Sequence, residues 1–378
     1  MTEAIHILIF IDWFSPGYKA GGPIRSIVHL CEQLPYRFSV VTSCFDHQSD
    51  QAYEGIQQGA WLQRGENLEV MYLNPKGVTN AFLKQVIKER NADKIYLNSM
   101  FSMPFSVNPM KVAKKLGLSH RIILAPRGML KAGALSIKSK KKKTFLFTSK
   151  ILGWHKGISW HATNEDEAEE IRKVFGKDCK ILIAPNLPSS PKAKLALTPK
   201  KEGELNLVSI ARVSREKNLL GGLKYLTLLQ QEVNWWIYGV KQDQAYLEEM
   251  VNLAKDFPKV KLHFEGDIAP EKMPQALKKG HFFYSPTLGE NYGHAIVEAL
   301  VYGLPVIISD NTPWRNLEES KAGWDLNLNK LYFVPVLQFC SSLDETSYQE
   351  WRSGAHLLGS TIASDETAIN ANKVLFSS

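Results

Sequence analysis

Several features that would place the chain in a familiar class are missing from its sequence. It has only four cysteines, and they form no C-x-x-C pair. Scattered cysteines of this kind are typical of buried, reduced thiols, and they indicate a cytoplasmic protein. No apolar run approaches the length needed to cross a bilayer, and Met1–Asp12 has the pattern of a core strand, not of a signal peptide. We therefore expect a cytoplasmic protein without a membrane-spanning helix.

Two common ligand-binding motifs are also absent. No D-x-D sequence occurs in the chain, so a bridging divalent metal ion is not indicated. The loop after the first apolar run contains Gly21 and Gly22. It lacks the G-x-G-x-x-G fingerprint with an acidic residue about twenty positions later, which argues against a nicotinamide dehydrogenase. We therefore expect neither a metal ion nor an organic cofactor.

Acidic residues are unevenly distributed, and one long stretch has none. The net charge is +8, residues 1–187 carry 26 Lys/Arg against 16 Asp/Glu, and residues 94–164 carry no acidic residue. Within that stretch Lys140–Lys143 precede the apolar residues Phe145–Phe147 and Ile151–Leu152. A basic run beside apolar residues suits an anionic membrane surface, and it equally suits a solvated helix face. Nucleic acid is a weaker alternative, because no DNA- or RNA-binding motif accompanies the charge.

The length and the order of apolar segments predict two α/β domains. A chain of 378 residues with 44% hydrophobic and 22% charged residues is expected to be globular and to form two domains. Runs typical of strands alternate with helical periodicity, as in parallel sheets. The predicted strands are Ile5–Asp12, Phe38–Thr42, Leu68–Leu73, Lys94–Leu97, Arg121–Leu124, Cys179–Ala184, Asn206–Ile210, Trp235–Tyr238, Lys259–Phe264, Phe282–Tyr284, Val306–Ser309 and Gly323–Leu326. The predicted helices of the second half include Leu219–Gln230, Pro270–Lys279, His294–Leu300 and Ala368–Phe376.

A linker separates the two predicted domains. Pro185–Gly203 contains four prolines together with serines and lysines, a composition typical of a linker. We therefore place the domain boundary near residue 190.

The stretch Ser285–Leu300 combines carboxylates, which suit hydroxyls, with amides at a helix start, which suit phosphate, and this combination would suit a nucleotide-sugar. It follows an apolar strand and continues through a Pro/Gly loop into a helix, so it should lie at the carboxyl edge of a parallel sheet. Glu290 and Glu298 are eight residues apart, and helical side chains lean toward the helix N-terminus, so both carboxylates should point to one place. Amides at the helix start can bind an anion; they belong to Gly293, His294 and Ala295. The alternative is an ordinary βαβ unit with surface glutamates.

Two cations follow the first predicted strand of the second domain. Arg212 lies at the carboxyl end of Asn206–Ile210, and Lys217 lies near the start of the next helix. Cations in these positions can converge on one diphosphate, whereas the alternative interpretation is a surface charge pair.

The spacing of Glu290 and Glu298 resembles the E-x7-E signature of the retaining glycosyltransferases of family 4. Arg212 and Lys217 are similar to the R-x4-K pair of that family, and the loop at Gly22 is similar to its first glycine-rich loop. The resemblance covers nearly the whole chain and implies the GT-B fold, in which two Rossmann-like α/β domains face each other across a cleft. The implied domains are an acceptor-side domain at 1–190, a nucleotide-sugar-binding domain at 191–359 and a final helix at about 360–378 that returns to the first domain.

The resemblance also implies a role for each residue of the site. Arg212, Lys217 and Glu290 are the catalytic candidates, because the two cations would compensate the donor diphosphate while Glu290 contacts donor-sugar hydroxyls. Glu298 would hold the ribose hydroxyls. The implied donor-binding set is Gly22, Gly266, Ile268, Gly293, His294, Ala295 and Glu298. The family retains anomeric configuration by front-face attack, in which a donor phosphate oxygen assists deprotonation of the acceptor, so neither glutamate is a nucleophile.

The chain departs from the family pattern after the strand Arg121–Leu124. Many members have a histidine there, whereas this chain has Pro126-Arg127-Gly128, as in a subset that builds surface polysaccharides. That subset implies hexosyl transfer from a nucleotide-sugar, in the first place a UDP-sugar, to a glycan or a polyprenyl-diphosphate-linked acceptor at the inner face of the cytoplasmic membrane. Arg127 and Lys19 are candidates for contacting the acceptor or a phosphate, although Arg127 equally fits a structural role.

Two other functions share the fold. A non-catalytic partner subunit would be expected to lose some of the charged residues of the site, and a nucleotide-sugar epimerase would use the same donor without an acceptor. The presence of Arg212, Lys217, Glu290 and Glu298 at the family spacing favours the transferase.

Overall fold

The chain folds into two compact units. The computed structural model describes residues 4–131, 135, 139–190, 192–196 and 199–378. Unit 1 comprises Met1–Leu187 with Glu366–Ser378, and unit 2 comprises Pro188–Asp365. Pro191, one of the prolines of the predicted linker, lies outside the described residues. Among the helices of the described part, none combines the length and the apolar character needed to cross a bilayer.

Unit 1 is built on a mostly parallel sheet. Its strands in the described residues are β1 (His6–Phe10), β2 (Arg37–Ser43), β3 (Trp61–Gly65), β4 (Leu68–Leu73), β5 (Lys94–Leu97), β6 (Ile122–Leu124), β7 (Ser159–Ala162) and β8 (Lys180–Ile183). Their order is β3-β4-β2-β1-β5-β6-β7-β8, and β3 is antiparallel to β4. In the interior strand β1, Leu8 and Phe10 enter one apolar cluster while Ile7 and Ile9 enter another. Burial on both faces explains why this strand is apolar at successive positions.

Unit 2 is built on a parallel sheet. Its described strands are β9 (Leu205–Ile210), β10 (Val233–Tyr238), β11 (Val260–Gly266), β12 (Phe282–Ser285), β13 (Val306–Ser309) and β14 (Gly323–Leu326). Their order is β11-β10-β9-β12-β13-β14, with parallel neighbours throughout. The chain adds β10 on one side of β9 and later adds β12 on the other, so β9 and β12 flank a topological switch point. Ligands of open parallel sheets bind at such points, outside the carboxyl ends of the strands.

Helices follow most of these strands. Those in the described residues are α1 (Gly22–Gln33), α2 (Asn80–Arg90), α3 (Asn108–Lys115), α4 (Ser139–Ile151), α5 (Glu165–Phe175), α6 (Leu219–Leu226), α7 (Gln244–Lys255), α8 (Met273–Leu277), α9 (His294–Val301), α10 (Lys330–Ser342), α11 (Glu345–Ala363) and α12 (Glu366–Ser377). A π-helical turn spans Met103–Val107, and 3-10 turns span Pro75–Gly77, Ser119–Arg121, Arg215–Lys217 and Pro270–Lys272. Helix α12 belongs to unit 1, where Leu375 and Phe376 pack in the same cluster as Ile7 and Ile9.

The predicted fold class, two α/β units on parallel sheets, is confirmed, and the predicted strands are present. Two helices were predicted too long. The Leu219–Gln230 helix ends at Leu226, because the Leu228 N–H donates to Tyr225, three residues back, and closes a tighter turn. The Pro270–Lys279 helix is a 3-10 turn followed by the short α8. Pro274 in the first turn of α8 has no N–H with which to extend a helix from the preceding residues.

Candidate functional site

Two loops at the carboxyl edge of the unit 2 sheet are bonded to each other. The loop after β9 includes the turn Arg215–Lys217. The Leu288 N–H, in the loop after β12, donates to the Glu216 carbonyl oxygen at 2.9 Å. Asn218 Nδ2 donates to the Pro286 carbonyl oxygen at 2.9 Å. These bonds fix both loops at the switch point between β9 and β12, where a ligand of this sheet type is expected.

An ion pair joins the two loops. Lys217 Nζ lies 2.5 Å from Glu290 Oε1, and their side chains are only 13% and 20% exposed. The Glu290 N–H also donates to the Asn311 carbonyl oxygen at 3.0 Å, which ties the loop to the segment after β13. A charge-assisted hydrogen bond with little solvent around it fixes both side chains more firmly than an exposed pair would. Both residues were predicted to contact one donor, which stays a prediction, whereas their pairing has no signal in the sequence.

Arg212 lies on the same loop but has a weaker partner. Its Nη2 is 3.9 Å from Glu216 Oε2, and the two side chains are 35% and 62% exposed. Such a contact contributes little energy. By contrast its backbone is well anchored, because the neighbouring Ala211 N–H donates to the Tyr238 carbonyl oxygen at 2.8 Å and the Val213 N–H donates to that of Val240 at 2.9 Å. A partly exposed guanidinium on a fixed backbone is suited to meet an anion.

The start of helix α9 lies in the same part of unit 2 as the loops of Arg212 and Glu290. Gly293 precedes this helix with φ 79°, a left-handed conformation that glycine allows. In the described residues no side chain caps the helix start. The amides of His294 and Ala295 lie ahead of the first bonds within the helix, which run from Ile296 and Val297 back to Gly293. Helix starts of this kind attract anions.

Glu298 lies one turn further along α9. Its side chain is 6% exposed, so the structure buries this carboxylate within unit 2. Residues four apart on a helix share a face, so Glu298 and His294 lie on the same side of α9. The structure thus places Glu298 directly behind the helix start, while Glu290 lies in the loop ahead of it.

The residues predicted to hold the base lie at the same carboxyl edge of the sheet, at the end of its outer strand β11. Gly266 ends β11 with φ 79°, and its carbonyl oxygen accepts a hydrogen bond from the Gly239 N–H at 2.6 Å. Ile268 is half-buried and packs against the apolar cluster that contains Met273 and Leu277. Backbone groups from the ends of β10 and β11 therefore lie side by side next to the loop of Arg212.

The glycine-rich loop of unit 1 is held by a carboxylate. Asp46 Oδ2 accepts hydrogen bonds from the backbone N–H groups of Tyr18 at 3.0 Å and of Lys19 at 3.3 Å. Gly21 has φ 70°, and α1 begins at Gly22. The Gly22 amide is thus at a helix start at the carboxyl end of β1.

Arg127 is held by neutral side chains within unit 1. Its Nε and Nη2 donate to Asn98 Oδ1 at 3.1 and 2.9 Å, its Nη1 donates to Asn186 Oδ1 at 2.5 Å, and its Nη2 also donates to Tyr96 Oη at 2.8 Å. The residue has φ 55°, which is uncommon outside glycine and requires support from its surroundings. These bonds favour the structural interpretation of Arg127, and its contact with an acceptor stays a prediction.

A buried histidine lies behind this arginine. Tyr96 Oη is 2.6 Å from His161 Nδ1, and His161 Nε2 is 2.8 Å from the Ala184 carbonyl oxygen. Burial, and then the positive charge of Arg127, lowers the pKa of His161 to about 4. The neutral His161 ring donates from Nε2 to the Ala184 carbonyl oxygen, so its Nδ1 accepts a hydrogen bond from the Tyr96 hydroxyl. The Tyr96 oxygen in turn accepts a hydrogen bond from Arg127. The chain of bonds gives each of these groups one orientation.

Sequence analysis missed a polar cluster at the switch point of unit 1, between β1 and β5. Asp12 Oδ1 accepts from Ser102 Oγ at 2.6 Å, and burial raises the pKa of Asp12 against the opposing effect of that bond. Asn98 is 4% exposed, and its Nδ2 has no hydrogen-bond partner in the described residues. A buried donor of this kind can be satisfied by a ligand. The available signal was a polar residue, Asp12 or Asn98, at the end of each of two apolar runs.

The cysteines, and the residues in the described part of the chain that could bind a metal ion, are candidates for a further site. All four cysteines are free thiols. Burial raises the pKa of Cys31, of Cys44 and of Cys340, which makes the reactive thiolate form less available. Within the described ranges, no group of three or more His, Cys, Asp and Glu residues is arranged to hold a metal ion. The expectation of a metal-independent site stays a prediction.

Comparison with known sequences adds a family match. Residues 193–323 match the family model described as glycosyl transferases group 1. A curated relative, the alpha-monoglucosyldiacylglycerol synthase of Streptococcus pneumoniae, is 30% identical over 122 residues, which are 32% of this chain and 28% of that protein. The chain therefore matches less than a third of the length of this relative.

Solved structures resemble the chain over its whole length. Sucrose-phosphate synthase from Thermosynechococcus elongatus has a TM-score of 0.65 at 13% identity, with 100% of both chains covered. Anabaena HepE in complex with UDP-glucose has a TM-score of 0.66 at 14% identity, with 99% of this chain and 100% of that chain covered. At these identities the likeness concerns the fold alone. The predicted GT-B fold is confirmed, and the segment 193–323, which contains the four charged residues of the candidate site, matches the glycosyl transferases group 1 family.

Proposed function

We propose that this protein is a retaining glycosyltransferase of family 4 that transfers a hexosyl group from a nucleotide-sugar to a glycan or a lipid-linked acceptor. The observation that carries the proposal is the Lys217–Glu290 pair, at 2.5 Å, beside Arg212 and the start of α9 at the unit 2 switch point. The family match over residues 193–323 contains all of these groups. A UDP-sugar is the first donor to test, since HepE, a neighbour in fold, was solved with UDP-glucose.

The proposed donor contacts follow from charge. The leaving nucleoside diphosphate develops about two negative charges, which Arg212, Lys217 and the amides of His294 and Ala295 would compensate in place of a metal ion. By the family resemblance, the amide of Gly22 at the start of α1 is a further candidate donor to the diphosphate. Glu290, already positioned by Lys217, would accept hydrogen bonds from the sugar hydroxyls, and the buried Glu298 from those of the ribose. The backbone at Gly266 and Ile268 would hold the base.

The proposed reaction retains the anomeric configuration. A donor phosphate oxygen would take the proton of the acceptor hydroxyl as that hydroxyl attacks the anomeric carbon on the side of the departing diphosphate. No enzyme carboxylate is then needed as a nucleophile. This agrees with a Glu290 carboxylate that is engaged by an ammonium group at 2.5 Å.

The proposed acceptor is a lipid-diphosphate-linked sugar used in surface polysaccharide synthesis, met at the inner face of the cytoplasmic membrane. The basic stretch 94–164 in unit 1 supports an acceptor in an anionic membrane. The pneumococcal relative is named as a synthase of a glucosyldiacylglycerol, which is in keeping with a lipid acceptor. The cluster of Asp12, Asn98 and Ser102, together with Arg127 and Lys19, is where we would look for acceptor contacts in unit 1.

The test is thermal melting with a panel of UDP, GDP and their sugars. A ligand of the folded state raises the melting temperature. We expect ligands with one of the two bases to raise the melting temperature of the wild type and of Arg215→Ala. The melting temperatures of Arg212→Ala and Glu298→Ala should not change with any of these ligands. Arg215 is a matched control, because it lies on the same loop, is 60% exposed and pairs with Asp243 and Glu249 instead. If no donor shifts the wild type, the transferase proposal fails and a non-catalytic partner subunit is favoured.

Transfer itself needs a second measurement. With the donor fixed, release of nucleotide that depends on added lipid-linked acceptor would distinguish a transferase from an epimerase, which releases none. The configuration of the product, read from its anomeric NMR coupling, tests retention. Unchanged transfer after treatment with EDTA tests metal independence.

A further inference from the structure

The outward face of α4 combines lysines with large apolar side chains that are exposed to solvent. Phe147, Ile151 and the following Leu152 are 66%, 67% and 62% exposed. Lys140, Lys143, Phe147 and Ile151 are spaced by three, four and four residues, so they share one face of the helix. We call these four residues, with Leu152, the α4 face. A helix face that is merely solvated has no reason to expose three large apolar side chains together.

The opposite side of α4 packs against unit 1, and this packing orients the α4 face toward solvent. Leu146 is 9% exposed and Ser149 is fully buried. Phe145 packs edge-on against Phe101 at 5.5 Å and against Trp154 at 5.8 Å between ring centroids. Because this side of the helix packs within unit 1, the α4 face is left exposed to solvent.

Further lysines surround the C-terminal end of the helix. Lys114 Nζ donates to the carbonyl oxygens of Gly153 at 3.0 Å and Lys156 at 2.7 Å, and Lys111 Nζ lies 3.4 Å from the centroid of the Trp154 ring. Burial and the charge of Lys156 lower the pKa of Lys114, as expected where cations crowd together. The stretch 94–164 as a whole has 14 Lys/Arg and no Asp/Glu. The surroundings of the exposed apolar residues are thus strongly positive.

We infer that the α4 face docks unit 1 on an anionic lipid bilayer, with Phe147, Ile151 and Leu152 inserted at the level of the headgroups. Charge complementarity selects this occupant. An anionic bilayer offers both a negative surface for the lysines and an apolar layer just beneath it, and interfacial helices bury their apolar side by about 5–10 Å. Nucleic acid would satisfy the lysines but would give no environment to Ile151 and Leu152. This surface deepens the proposed function by naming its membrane partner, yet it does not require the donor site.

The experiment is binding of the full chain to vesicles of phosphatidylcholine, alone and mixed with phosphatidylglycerol, by co-sedimentation. We expect retention only on the anionic vesicles at low salt. Lys140→Gln with Lys143→Gln should weaken retention about 30-fold, the usual effect of two basic side chains near an anionic surface. Phe147→Ser with Ile151→Ser should weaken it about tenfold or more through lost apolar burial.

Matched control pairs separate this surface from general effects. Lys84→Gln with Lys88→Gln removes the same charge from α2, whose lysines are also exposed and also lie on one helix face. Leu331→Ser with Leu357→Ser removes two apolar side chains that are 71% and 70% exposed in unit 2. Both control pairs should bind vesicles like the wild type. Melting temperatures of all variants exclude loss of folding as the cause.

Each other outcome overturns the inference. The inference is overturned if the wild type does not bind anionic vesicles, or if it binds neutral vesicles equally well. It is also overturned if the control pairs weaken binding as much as the α4 variants do. Retention that survives Phe147→Ser with Ile151→Ser refutes insertion and leaves a purely electrostatic contact. The donor-induced melting shift, measured on the same samples, is independent. If the protein does not bind vesicles but its melting temperature still rises with donor, only the inference about the docking surface is overturned. If it binds vesicles but no donor raises its melting temperature, only the transferase proposal is overturned.

Discussion

Two ion pairs of unit 2 have the same length but different burial, and this difference predicts their energies. Lys217–Glu290 and Lys321–Glu350 both have an N···O distance of 2.5 Å. The side chains of the first pair are 13% and 20% exposed, whereas those of the second are 58% and 59% exposed. We predict that double-mutant cycles of the free energy of unfolding will give clearly different coupling energies for the two pairs.

The magnitudes follow from solvent screening. An exposed pair is worth about 0.2–1 kcal/mol, so we expect about 0.5 kcal/mol or less for Lys321–Glu350. A hydrogen bond between charged groups with little water around it is worth about 1.5–3 kcal/mol, so we expect a value in that range for Lys217–Glu290. At about 1 M salt the Debye length falls to about 3 Å, so the coupling of the exposed Lys321–Glu350 pair should vanish, whereas most of the coupling of the buried Lys217–Glu290 pair should persist.

The assay is urea unfolding of the wild type, of Lys217→Met, Glu290→Gln and their double variant, and of the matching set at Lys321 and Glu350. Both pairs lie in unit 2, so both cycles report on unfolding of the same unit. Equal coupling energies, or equal loss of coupling in salt, would refute the argument that burial of Lys217 and Glu290 makes their pairing rigid. It would also weaken the view that Glu290 is positioned before a ligand arrives.

Four further variants test other parts of the structure. Gly239→Ala should lower the free energy of unfolding of unit 2 by several kcal/mol, because φ is 150° there and an added Cβ would overlap the Ala211 carbonyl oxygen. In Gly266→Ala the added Cβ meets no atom within 4 Å, so the loss should be only about 1–2 kcal/mol. Urea unfolding compares the two variants. Burial lowers the pKa of His281 from 6.5 to about 4, so the folded state binds fewer protons than the unfolded state and stability falls as pH falls between these values. Between about pH 7 and pH 5, His281→Phe should therefore lose about 2 kcal/mol less of its free energy of unfolding than the wild type does. Urea unfolding at both pH values measures this difference. Arg127→Ala should destabilise unit 1 by about 2–4 kcal/mol by leaving its buried partners unbonded; an unchanged melting temperature with lost transfer would instead make Arg127 an acceptor contact.

The elements that could be predicted are those whose pattern is set by burial. Strand β1 was found because both of its faces are covered, so its residues are apolar in succession. The edge strand β3 was missed, because Trp61–Gly65 is mostly exposed and includes Gln63 and Arg64, so no apolar alternation marks it. The alternation of strands and helices was enough for the fold class, since parallel sheets need such connections.

For the candidate site, the sequence predicted which residues lie near one another but not which contacts they make. It put Arg212, Lys217 and Glu290 in loops after strands and Glu298 on the helix that follows, and the carboxyl ends of parallel strands share one edge. Which cation meets which carboxylate depends on side-chain distances set by the loop-to-loop bonds at Glu216 and Asn218. These bonds involve backbone oxygens, which any residue has, so no sequence signal exists for them.

In the proposed transferase, the different partners of Arg212 and Lys217 would make these two cations act at different steps. Lys217 already has a carboxylate at 2.5 Å, so an arriving anion has to compete with Glu290 for it. Arg212 has only Glu216 at 3.9 Å, in a contact that solvent largely screens, so most of its charge is available beforehand. Arg212 therefore suits the first capture of a diphosphate. Lys217 suits a later step, since its charge becomes available only when Glu290 finds other hydrogen bonds, such as those of sugar hydroxyls. A pair of this kind would couple binding of the sugar to compensation of the leaving group, and nucleotide alone would not exploit it fully.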